Sequence, residues 1–269
     1  MSNPSERFDA GDLSGATDAT LRLVKAHPTD TGKRAFLCEL FCFAGDWDRA
    51  DKQLELITKQ DPETMVGAGL IRQLIRAATA RQEFYQQGHL PEFVGEVPPL
   101  LQQHLKASVA LRDRDVSQAA HLLAEAEQQR TPTSGRCNGK PFDDWRDLDD
   151  LCAPFFEIFT TNGKYYWIPI DQVQVIEFRA PQHARDLLWR SAHLTFADGA
   201  DAEVFLPALY VDSPASSSDR LRLGRMTEWR EEGDGITRGI GQRMFLAGDE
   251  AQAIMELERL EFMPTPAGT

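Results

Sequence analysis

Ala10-Gly11-Asp12 recurs as Ala44-Gly45-Asp46, and Pro28 recurs as Pro62, each pair 34 residues apart in otherwise dissimilar sequence. That is the period of a tetratricopeptide repeat, in which two antiparallel helices cannot bury their apolar face alone and must stack on neighbours. The same alignment sets Ala16 against Ala50, Lys25 against Lys59, Leu13 against Trp47 and Leu23 against Ile57. A stack of this kind leaves a groove suited to a peptide or helix, so the first expectation is a binding protein.

The chemistry within one repeat agrees with its spacing. From Phe36 to Ala44 only Glu39 is polar, so a helix there is apolar nearly all round and needs cover on several sides. Gly45 ends that helix, Asp46 caps the next, and Trp47, Ala50, Leu54 and Ile57 follow at roughly helical spacing. Pro62 disfavours α conformation at Asp61 and closes the pair. The same reading places a short capped helix after Asn3, a helix at 12–26, a long one at 64–87 closed by Gly88, and a further pair at 100–111 and 116–129. Asp115 to Ala119 echoes Asp46 to Ala50 one residue off twice the period.

At Thr131 the composition changes. Residues 132–141 are turn-forming and read as a linker, and a short acidic helix is expected at 143–151. Beyond that, Tyr165 to Ile170 and Val173 to Phe178 read as strands, with Pro169 placing the first at an edge or bulge. Leu194 to Leu206 reads as a hairpin about Asp198-Gly199, and Met244 to Leu257 as another about Gly248-Asp249. Residues 211–220 read as a mobile loop. The predicted fold is therefore α+β: a tetratricopeptide-like helical domain over 1–131 and a mostly antiparallel β-rich domain over 142–269.

Composition narrows the function. The chain has 269 residues and a net charge of −13, with 15 basic and 19 acidic side chains over 1–131 and 14 and 23 beyond. Nucleic acid is disfavoured as a partner, because phosphate binding needs clustered Lys and Arg. No run of 18 apolar residues and no signal pattern exists, which predicts a cytoplasmic protein without membrane association. Cys38, Cys42, Cys137 and Cys152 lack metal or redox spacing and read as buried thiols. Gly239-Ile240-Gly241 lacks the third glycine of a dinucleotide loop, and the acids of 143–150 fit no calcium loop, so no cofactor or metal is expected.

Four segments of the second half resemble the signatures of the ImpE family, also called TagJ. They are Arg185-Asp186-Leu187-Leu188-Trp189-Arg190, Phe205-Leu206-Pro207-Ala208-Leu209-Tyr210, Leu221-Arg222-Leu223-Gly224-Arg225 and Arg238-Gly239-Ile240-Gly241-Gln242-Arg243, with Tyr166-Trp167-Ile168-Pro169 upstream and Trp229 between the last two. The resemblance implies an accessory protein of bacterial type VI secretion: a cytoplasmic adaptor that binds the N-terminal helix of the small contractile-sheath subunit, of the TssB or VipA type, and influences sheath handling by the ClpV ATPase.

Helix-in-groove binding suits that role. By repeat position the groove is lined by Ala35, Glu39, Cys42 and Phe43, then Gln73, Arg76 and Arg81, with Phe43 expected at the groove edge. For each, ordinary core or solvated surface is the competing reading. The arginines 185, 190, 225, 238 and 243 either gather into a cationic patch or pair with nearby acids, and Trp189 and Trp229 read as packing. The rival functions are a small hydrolase using His183 oriented by Asp186, and a fixed structural subunit of the secretion machine. No nucleophile elbow, metal quartet or phosphate loop accompanies His183, so the chain is read as non-enzymatic.

Overall fold

The computed structural model describes residues 3–263. Its helical half runs α1 (Pro4–Asp9), α2 (Leu13–Ala26), α3 (Thr31–Phe43), α4 (Trp47–Gln60), α5 (Met65–Gln87), α6 (Pro99–Arg112) and α7 (Val116–Gln129). One turn is built three times. Asp12, Asp46 and Asp115 each cap the following helix through a side-chain oxygen, accepting from Gly15 N, Arg49 N and Gln118 N. Their own amides reach back to Arg7 O, Phe41 O and Ala110 O, closing the previous helix. The residue before each Asp is left-handed: Gly11 at φ 84°, Gly45 at 70° and Arg114 at 63°. Four residues after each cap stand Ala16, Ala50 and Ala119, all fully buried, where only a methyl fits between helices.

The β half follows as β1 (Gly135–Cys137), β2 (Lys140–Phe142), β3 (Trp145–Asp147), β4 (Phe155–Thr160), β5 (Tyr165–Pro169), β6 (Val173–Phe178), β7 (Trp189–Phe196) and β8 (Asp201–Pro207). After the short helix α8 (Asp219–Arg222) come β9 (Thr227–Gly233), β10 (Ile236–Gly241), β11 (Met244–Ala247), β12 (Glu250–Ala253) and β13 (Arg259–Phe262). The main sheet has the order β2-β1-β13-β6-β7-β8-β4-β5 with every neighbour antiparallel. The fold is thus α+β, a helical region followed by an antiparallel β region. Pro169 does end an edge strand. That edge is covered by the link after α5, where Glu92 N donates to Tyr165 O and Glu92 O accepts from Trp167 N. The hairpin of β7 and β8 turns at Asp198-Gly199 as expected.

Four local expectations are corrected. Most of the supposed linker is hairpin β1-β2, because β1 pairs with the C-terminal strand β13 and so closes the sheet with residues distant in sequence. The acidic stretch is not a helix: Trp145–Asp147 pairs with β11, and a 3₁₀ turn at Asp150–Cys152 follows. Residues 211–220 are built into the fold, with Ser213 fully buried between Tyr210 O and Gly241 N. Asp219 there accepts from Ser14 N at 2.8 Å, tying the segment to α2. The second hairpin pairs Met244–Ala247 with Glu250–Ala253, and Ile254–Glu256 is a 3₁₀ turn rather than strand.

The two halves share one core. A continuous apolar cluster joins Phe8, Leu37, Phe41, Phe43, Leu74 and Phe84 of the helices to Phe155, Phe159, Tyr165, Trp167 and Trp189 of the strands. Trp167 is its hub, stacked on Phe155 at 3.9 Å and met edge-on by Phe84 at 4.8 Å. Such pairs contribute about 1 kcal/mol each beyond their burial.

Candidate functional site

The face of the stack that the repeat logic offers to a partner is occupied by the chain's own β half. Of the seven side chains expected to line a groove, Glu39, Cys42, Phe43 and Arg81 are buried. Phe43 is 0% exposed and packs edge-on to Phe8 at 5.5 Å, so it is core and not a groove edge. Glu39 meets Arg185 at 3.2 Å, and burial raises its pKa although Arg185 opposes the shift. Gln73 is half-buried beneath the turn at Gly163, while Ala35 and Arg76 stand exposed on α3 and α5.

Beneath this junction lies a buried ionic network. Arg81 on α5 donates Nε and Nη2 to the two carboxylate oxygens of Glu157 on β4, at 2.9 and 2.6 Å. Arg243 bridges Glu157 to Asp147, which also accepts from the Tyr210 hydroxyl at 2.9 Å. Asp149 takes Arg238 Nε at 2.8 Å and the amide of Gly239 at 3.1 Å. Burial works against the charge on Glu157, but Arg81 and Arg243 outweigh it and hold its pKa well below the carboxylate range. Burial likewise opposes the charge on Arg81, and Glu157 more than restores it. At Asp147 the balance goes the other way: burial pushes the carboxyl up to about 7 although Arg243 pulls it down.

Above the network is a cavity of about 230 Å³ lined by Cys42, Trp47, Arg81, Trp189, Pro207 and Tyr210, among others. Trp47 on α4 stacks on Trp189 on β7 at 6.4 Å, and its Nε1 donates to Gln82 Oε1. Residues expected in the groove and residues of the signature segments thus meet in one place. The remaining signature residues hold the junction from the β side. Gly224 and Gly241 take left-handed conformations, and a side chain at Gly241 would strike the Met226 carbonyl. Gln242 Nε2 donates to Gly224 O, and Arg225 lies over the Phe8 ring at 5.5 Å. Arg190 is buried, with Nη2 on Leu257 O. Trp229 touches Tyr210 edge-on but is 43% exposed, so it is surface rather than core.

The arginines do not form a patch. Arg185, Arg238 and Arg243 each pair with an acid, and the acids of 143–150 do hold cations, namely guanidinium groups. The hydrolase arrangement is not assembled: Asp186 accepts from the amides of Gln182 and His183, which leaves the exposed His183 ring unoriented by it. Sequence reasoning missed Glu157, Asp147 and Asp149. A signal did exist, because Glu157 is the lone charge in the run Phe155 to Phe159, and a lone acid in an apolar strand requires a buried partner.

These features define a class: a short helical repeat stack whose inward face is sealed by an antiparallel β region through a buried arginine–carboxylate junction. Residues 139–261 match the family model described as ImpE protein. Over 97% of its length the chain is 31% identical to the type VI secretion system accessory component TagJ of Pseudomonas aeruginosa, covering 92% of that protein. The chain belongs to the ImpE family. The crystal structure of protein VPA1032 from Vibrio parahaemolyticus has the same fold, with a TM-score of 0.91 at 30% identity over 98% of this chain and 99% of that one.

Proposed function

We propose that this chain is an accessory adaptor of bacterial type VI secretion, without catalytic activity, that binds the N-terminal helix of the small contractile-sheath subunit and influences sheath handling by the ClpV ATPase in the cytoplasm. The observation that carries the reading is the likeness to TagJ, named as an accessory component of that system, along 97% of the chain. No helix among the described residues is long and apolar enough to cross a membrane, which is compatible with such a role.

The inward face being covered, the proposal assigns the helix to the apolar side chains left uncovered on the helical region. Leu56 near the end of α4 and Met65 and Val66 at the start of α5 flank one turn and are 38%, 61% and 86% exposed. An amphipathic helix supplies anchors at i, i+3, i+4 and i+7 that such a surface can take. Titrating a labelled sheath-subunit N-terminal peptide into the full chain tests this. Val66→Asp with Met65→Asp should weaken binding about tenfold or more, as loss of central apolar anchors does. Absence of binding to the parent protein would remove the adaptor reading, and binding unaltered by the double variant would remove the surface.

A further inference from the structure

We propose that a second cavity, between α5, α6 and the β9-β10 ribbon, binds a carboxylate carried on an apolar stem. The cavity is about 280 Å³, and Tyr85, Arg112, Arg114, Val116, Val211 and Arg238 are among its lining residues. Arg238 is 7% exposed and spends its Nε on Asp149. Its two Nη groups have no hydrogen-bond partner among the described residues, yet they are not sealed from solvent, so they are open to this cavity. A largely buried guanidinium whose two amino groups face a solvent-open cavity presents fixed donors that an acceptor entering it can take without displacing a protein partner.

Two further arginines reach the same space. Arg112 uses Nη1 on Phe84 O at 3.1 Å, and the Arg114 side chain makes no hydrogen bond or ion pair among the described residues. The acids on the opposite wall, Asp212 and Glu232, are both engaged by Arg230, at 2.9 and 2.5 Å. With Asp149 held by Arg238, the local balance accommodates one added negative charge. That favours a carboxylate over a phosphate dianion, and a planar carboxylate matches the fork of a guanidinium. Val116, Val211 and the Tyr85 ring form the apolar part of the wall, which suits an aliphatic stem. The site stands apart from the adaptor reading and does not depend on it.

Calorimetric titration of the full chain tests it with three probes: butyrate, an end-capped tripeptide with glutamate between two leucines, and inorganic phosphate. Butyrate and the tripeptide should bind saturably with a Kd of about 1 mM, as a small solvent-open site permits. Tighter binding of the tripeptide places the carboxylate on a partner's side chain, and tighter binding of butyrate makes it a free acid. Arg114→Gly is the informative variant, because the left-handed backbone there suits glycine and the fold is not harmed. It should weaken both ligands about fivefold, the effect of one partly screened charge, with no drop in Tm. No saturable binding, phosphate binding more tightly than either carboxylate, or full affinity in both Arg114→Gly and Arg112→Gln would overturn the assignment.

Discussion

Arg81 and Glu157, 76 positions apart, form a two-pronged ion pair in the interior, and each side chain comes from a different half of the chain. The pair is the point at which the repeat stack and the β region become one body. Breaking it by Glu157→Leu leaves Arg81 and Arg243 buried and short of a partner, and should cost about 3–5 kcal/mol. Replacing both partners by apolar residues, Arg81→Met with Glu157→Leu, should cost less than the sum of the singles. Denaturant unfolding of the four proteins of this cycle gives the coupling directly.

His104 provides a pH test. Burial lowers its pKa to about 4, outweighing the hydrogen bond from Nδ1 to Leu151 O. The folded state therefore prefers the neutral ring, while the unfolded chain binds its proton below about pH 6.5. This contribution is fully present above about pH 6.5 and is lost as pH falls towards 4, a change of about 3 kcal/mol. His104→Asn keeps a donor for Leu151 O and should flatten the dependence of Tm on pH across that window. An unchanged slope in the variant would show that another group is responsible.

Arg114 holds the left-handed position that Gly11 and Gly45 hold in the two earlier copies of the turn. A side chain there carries a backbone penalty that glycine avoids, so Arg114→Gly should stabilise by about 0.5–1 kcal/mol net of glycine's greater unfolded entropy. The reciprocal Gly45→Ala should destabilise by at least as much, since its new methyl also meets Pro214 at 3.0 Å. Thermal melts of both variants decide the matter.

Phe43 is expected to act through stability and not through contact with a partner. It is fully enclosed against Phe8, and Phe43→Ala should cost about 3–5 kcal/mol by leaving a cavity. Phe43→Asp should fail to give a folded protein. A variant with parental Tm and lost peptide binding would restore it to an open groove.

What the sequence disclosed was local, and what it hid was long-range. The turn at Gly45-Asp46 was legible because cap, breaker and apolar period lie within a few residues of one another. So were β6, through its β-branched and aromatic residues, and the β7-β8 hairpin, whose two strands are neighbours in the chain. Strand β1 was not, since its partner β13 lies more than a hundred residues away and its own residues are turn formers. The acids at Asp147 and Asp149 read as part of an acidic helix because their arginines, Arg243 and Arg238, come some ninety positions later. The groove failed for the same reason. Repeat position picks out Glu39, Cys42 and Arg81 as groove lining, but nothing local shows that the β half would cover them.

The central claim is that the helical and β regions are one cooperative unit sealed at Arg81, Glu157 and Arg243. Equilibrium unfolding of Trp47→Phe, whose remaining tryptophans all lie in the β half, followed in parallel by helical circular dichroism and by tryptophan fluorescence, tests it most directly. The account expects coincident transitions, shifted together to lower denaturant by Arg243→Met. A helical signal that melts separately from the fluorescence, or a variant that moves only one of the two, would contradict it.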